Sequence, residues 1–64
     1  MIINGKQRDF PDGTCVLDML SSLNLDAEKV VVEVNETILE KSVFTYHVLN
    51  TGDKIEIIAF VGGG

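Results

Sequence analysis

Apolar and polar positions follow two rhythms along this chain, with turn-forming clusters between them. The opening "MIING" is an apolar run stopped by Asn4-Gly5, a pair suited to the positive φ angles of a two-residue hairpin turn. "KQRDF" is the expected return strand, and "PDG" ends it. In "GTCVLDMLSSLNL" the period changes: Val16, Leu17, Leu20 and Leu23 recur at i, i+1, i+4 and i+7, which predicts one apolar face of a helix. Thr14 is the expected N-cap, Asp18 lies near the positive end of the helix dipole, and Asn24 is the expected stop.

Beyond the helix the period returns to two. "KVVVEVNETIL" reads as a β-branched strand, a turn at Asn35, and a short return strand. "EKSVFTYHVLNTGD" has no clean period, and Thr51-Gly52-Asp53 is a turn. "KIEIIAF" is a strand with Ile55, Ile57 and Ala59 on one side and Glu56, Ile58 and Phe60 on the other. The order of elements predicts an α+β roll, a mixed sheet of four to five strands with one main helix packed on one face.

Composition narrows the function. At 64 residues the chain has room for a single small domain and none for a substrate cleft. With 45% hydrophobic and 23% charged residues it has a globular balance. Ten acidic residues against five scattered basic ones give a net charge of −5, which argues against tracking of nucleic-acid phosphates and for docking on a basic partner surface. A single cysteine forms no internal disulfide, and no stretch resembles a secretion signal or membrane span, so the cytoplasm is the expected compartment.

One feature serves no fold: the strand-like "AFV" runs into Gly62, Gly63 and Gly64. Glycine builds no core and loses the most chain entropy on ordering. Residues 1–61 are therefore expected to form the domain, and 62–64 a flexible tail. Extended, Val61 to Gly64 would reach about 13 Å, and a chain without Cβ atoms passes through a channel that rejects branched side chains. The ordinary reading of such a run, a frayed end or linker, carries less weight when a well-patterned domain precedes it.

"IING", "GTCVLDML", "VVVEVNETIL" and above all "NTGDKIEIIAFVGGG" resemble the β-grasp, ubiquitin-like proteins, and within them the ThiS family of sulfur carriers, over essentially all of the chain. The resemblance implies a non-catalytic carrier with no cofactor of its own. It implies that Gly64 is the reacting residue, its carboxylate adenylated by a ThiF-like enzyme that uses MgATP. Sulfur from a cysteine desulfurase system would then replace AMP to give a thiocarboxylate, which donates sulfur to thiazole synthase (ThiG-like) in thiamin biosynthesis. Val61, Gly62 and Gly63 would thread into the partners' active sites. Two alternatives stay open: the small subunit of molybdopterin synthase, and a β-grasp interaction or conjugation module without sulfur chemistry.

If Ile55 and Ile57 face the helix, Ile58 and Phe60 point to the open side of the sheet, where Val31 on the neighbouring strand joins them. Such a patch is a candidate partner-binding surface, unless the irregular "SVFTYHVL" segment folds over it. The remaining candidates have simpler readings. Cys15, in the first helical turn, is a small buried hydrophobe before it is a reactive thiol. His47 stands alone with no second ligand at a metal-binding spacing. Glu33, Glu36, Glu40 and Glu56 read as a solvated strand edge, and Leu17, Leu20 and Leu23 as core.

Overall fold

The computed structural model describes residues 1–60; the predicted domain end at Val61 and the tail residues Gly62, Gly63 and Gly64 lie outside the described residues. Strands β1 (Ile2–Ile3) and β2 (Lys6–Gln7) precede helix α1 (Val16–Ser22). Strands β3 (Val30–Val34), β4 (Thr37–Ile38) and β5 (Lys54–Ala59) follow it, with short 3-10 turns at Ala27–Lys29 and Lys41–Val43. The five strands form one sheet in the order β2-β1-β5-β3-β4. β5 is central, parallel to β1 and antiparallel to β3. This is the expected β-grasp roll.

The first hairpin closes as the sequence predicts. Asn4 and Gly5 have φ of 49° and 82°, and Ile3 faces Lys6 directly across the two-residue turn. The return strand is shorter than "KQRDF": β2 ends at Gln7, although the Arg8 N–H still donates to the Met1 carbonyl. Asn35 and Glu36 make a second turn with positive φ at both positions, 51° and 70°. Val34 faces Thr37 across it.

Helix α1 differs from its expected outline in two respects. Val16, Met19 and Leu20 are fully buried against the sheet, while Leu17 is exposed. The inward face is i, i+3, i+4, and Leu17 sits about 100° round the helix from Val16. Leu17 therefore leaves the expected core and Met19 enters it; Leu23 packs at the margin. Nor is Thr14 the N-cap. That position is held by Cys15, without a side-chain cap, and the Thr14 hydroxyl donates to the Pro11 carbonyl at 2.7 Å.

The free amides of the first turn find their acceptors elsewhere. Val16 N–H donates to the His47 carbonyl and Leu17 N–H to the Phe44 carbonyl. The segment without a period thus caps the helix N-terminus from a distance. It also contributes Phe44 and Leu49 to the core and bridges Val48 to Cys15. At the other end Asn24 (φ 59°) stops the helix as predicted: its N–H donates to the Ser21 carbonyl and that of Leu25 to Leu20. These two bonds form a Schellman motif.

The core lies between α1 and one face of the sheet, where Ile3, Val30, Val32, Val34, Ile55 and Ile57 meet Val16, Met19 and Leu20. Asp53 is buried beside it with its carboxylate fully engaged. One oxygen accepts from the Asn50 N–H at 2.8 Å and the other from the Asn35 side-chain amide at 3.0 Å. Among the described residues no helix is long and apolar enough to cross a membrane.

Candidate partner-binding face

The central strand carries the geometry of the site. Along β5, Ile55 and Ile57 are buried under α1, and Ile58 and Phe60 project from the opposite face, 53% and 58% exposed. Val31 lies directly opposite Ile58 on β3 and is partly buried. The "SVFTYHVL" segment does not cover this face; it sits at the N-terminal end of α1, with Tyr46 exposed. Ala59 is on the side of Ile57 but exposed at the strand's end.

The face also includes Ile38, which sequence reasoning missed. Ile38 is 66% exposed and pairs with Glu33, and directly paired residues project to the same side of a sheet. Glu33 and Val31 share that side. The signal was present in the chain: a two-residue turn at Asn35-Glu36 forces Val34 opposite Thr37 and Glu33 opposite Ile38. The length of the turn could have been read for register.

Ile38, Val31, Ile58 and Phe60 thus form an apolar strip across three strands. Glu33 and Glu56 face each other directly within it. Two carboxylates opposite each other repel, and a cationic partner group placed between them would relieve that repulsion. An apolar strip with an acidic pair suits a partner surface that is apolar with basic residues.

The strip sits on a rigid base. β3 and β5 pair over five consecutive positions, from Val30 opposite Ala59 to Val34 opposite Ile55. The Phe60 N–H donates to the Lys29 carbonyl at 2.8 Å, so hydrogen bonding to the segment that leads into β3 extends one residue past the strand. The main chain therefore reaches position 60 with its direction set by the sheet.

The other residues singled out from the sequence do not converge on this face. Cys15 is buried as a free cysteine, in the bridge to Val48. His47 is partly buried and serves through its carbonyl, which accepts from Val16. Glu36 and Glu40 are exposed. Among the described residues, no group of three or more His, Cys, Asp or Glu side chains is arranged to hold a metal ion.

Comparison with known proteins assigns the family. The ThiS family model matches residues 1–64. A thiazole synthase of Paramagnetospirillum magneticum is 44% identical over 64 residues, which span this whole chain but only 20% of that protein. The sulfur carrier protein ThiS of Bacillus subtilis is 38% identical over 63 residues, 97% of this chain and 96% of that one. The crystal structure of a thiamine biosynthesis protein (ThiS) from Geobacter metallireducens superposes with a TM-score of 0.79 at 35% identity, covering 98% of this chain and 96% of that chain. By the match along its whole length and the shared fold, the chain belongs to the ThiS family.

Proposed function

We propose that this chain is a non-catalytic sulfur carrier of thiamin biosynthesis, and that Gly64 carries the sulfur as a thiocarboxylate. The observation that supports this reading is the family match over residues 1–64, glycine run included. The thiazole synthase of Paramagnetospirillum magneticum contains a stretch like this entire chain, which favours thiazole synthase as the acceptor over molybdopterin synthase. Joining a carrier to its acceptor replaces a bimolecular encounter by an intramolecular one, a gain available only if the two work together.

The chemistry follows from the electrophile. A carboxylate resists attack because it has no good leaving group. In the proposed cycle a Gly64 carboxylate oxygen attacks the α-phosphorus of MgATP in a ThiF-like enzyme, forming an acyl adenylate and releasing pyrophosphate. The terminal sulfur of a persulfide supplied by a cysteine desulfurase system then forms a bond to the acyl carbon as the bond to AMP breaks, and a thiol reductant cleaves the S–S bond of the resulting acyl disulfide, leaving the thiocarboxylate on Gly64 and carrying away the former persulfide donor as a mixed disulfide. The carrier contributes no acid, base or metal; it contributes position. The strip of Ile38, Val31, Ile58 and Phe60 docks on the activating enzyme, the β3–β5 ladder orients the main chain, and Val61, Gly62 and Gly63 lead into the active site. Misplacement of a reacting carbonyl by about 1 Å can cost about 100-fold in rate.

The test is intact-mass analysis after incubation with the activating enzyme, MgATP and a sulfur source. The expected product is heavier by the difference between one sulfur and one oxygen atom, with the change confined to Gly64 in the C-terminal fragment. A chain that stays unmodified while a Bacillus subtilis ThiS control is charged would overturn the proposal.

A further inference from the structure

A second recognition surface lies on the other side of the sheet, away from the strip and from Phe60. Between β2 and the end of α1 the molecule carries a cleft of about 280 Å³. Its floor is apolar: Ile3 and Ile57 from the sheet, Leu23 and Leu25 from the end of the helix. Its rim is cationic, formed by Lys6 and Arg8. Those are two of the five basic residues in a chain of net charge −5. The ion pairs among the described residues are Met1 with Asp9 and Lys41 with Glu28, so neither rim cation is paired with a carboxylate of a described residue.

The backbone beside the cleft is open as well. β2 is the outermost strand on its side of the sheet. Lys6 faces Ile3 across the tight turn, and Arg8 donates its N–H inward to Met1. Since backbone groups alternate in direction along a strand, the N–H and C=O of Gln7 point outward. Lys6 shares the helix side of the sheet with Ile3, its partner across the turn.

We propose that this cleft binds an extended segment of a partner protein in which a short apolar run is flanked by acidic residues. The segment lies beside β2 as an added strand and exchanges hydrogen bonds with Gln7. Its side chains on the helix side fall onto Leu23 and Leu25 at the end of α1. Its carboxylates meet Lys6 and Arg8, the reverse of the polarity on the open face, where Glu33 and Glu56 call for a basic partner. The two surfaces thus select different partner chemistries, and the cleft leaves the strip available while it is filled.

The experiment is amide chemical-shift mapping on the isotope-labelled chain. The probe is a short end-blocked peptide of four alternating valines and isoleucines with glutamates on both sides. Shifts are expected at Lys6, Gln7, Arg8, Leu23 and Leu25, with a Kd between roughly 10 μM and 1 mM. Reversing the rim with Lys6→Glu and Arg8→Glu together should weaken binding about tenfold or more. The same peptide with lysines for glutamates should show the same loss on the unaltered chain, a readout that does not depend on the variant folding. Four results would overturn the proposal: no binding up to about 1 mM, shifts centred on Val31 and Ile58 instead, affinity indifferent to the peptide's charge, or cleft shifts that track the protein's own concentration without peptide, which would make the occupant a second copy. None of these depends on sulfur transfer, so the result stands apart from the proposed function.

Discussion

The side chain of Asn4 takes the place of a strand residue against Ile57. Its carbonyl oxygen accepts from the Ile57 N–H at 2.7 Å, and its amide donates to the Ile57 carbonyl at 3.2 Å. β1 has already turned away at this point, because Asn4 is the first residue of the hairpin turn. The carboxamide thereby prolongs the pairing of the central strand by one residue. A single position serves the turn through its backbone and the sheet through its side chain.

The two roles can be separated. Asn4→Gly keeps a residue that tolerates φ near 49° but removes both bonds to Ile57, and should cost about 1–2 kcal/mol. Asn4→Ala should cost about 1 kcal/mol more, because alanine also pays for the left-handed conformation. Urea denaturation of the three proteins measures both steps. Equal stability of the glycine variant and the native chain would show that the side-chain bonds contribute nothing net.

At the second turn the conflict runs the other way. Glu36 is exposed and holds φ of 70°, a region that disfavours a residue with a Cβ. Glu36→Gly removes a strain of about 1–2 kcal/mol and adds about 0.5–1 kcal/mol of unfolded-state entropy. The variant should be more stable by up to about 1.5 kcal/mol, with a midpoint no lower than that of the native chain. A lower urea midpoint would contradict this account of the turn.

On the open face, Ile58→Asp should leave folding nearly intact, changing stability by at most about 1 kcal/mol, since the side chain is more than half exposed. The new carboxylate would sit beside Glu33 and Glu56 in the middle of the strip, and binding to the activating enzyme should fall at least about tenfold. Circular dichroism and a binding titration read the two effects separately. Loss of the fold would show that Ile58 is a core residue and not a contact.

At the tail, Gly64→Ala should fold normally and be charged about 100-fold more slowly by the activating enzyme, because the added methyl displaces the carbonyl within a site shaped for glycine. A residue appended after Gly64 should be worse, since it moves the reactive carboxylate. Mass detection of adenylate and thiocarboxylate over time is the assay. Charging at the native rate in both would refute the terminal-glycine mechanism.

Local chemistry was legible in the sequence wherever the cause was local. Asn4-Gly5 specifies its turn through its own φ angles, Asn24 ends the helix by the same means, and the alternation along 54–60 sorts Ile55 and Ile57 from Ile58 and Phe60. The family was legible too, from motifs spread over the whole chain together with the glycine run. Long-range pairing decided the rest. Thr14 had the chemistry of an N-cap but lost the role to the carbonyls of Phe44 and His47, about thirty residues away in a segment with no period to read. Ile38 became part of the open face only through its register with Glu33, and Lys6 and Arg8 became the rim of an apolar cleft only when the end of α1 was laid beside β2. Turn and strand preferences are set within a few bonds of the residue that carries them. A cap, a face or a cleft is assembled from backbone groups and side chains that meet only when the chain is folded.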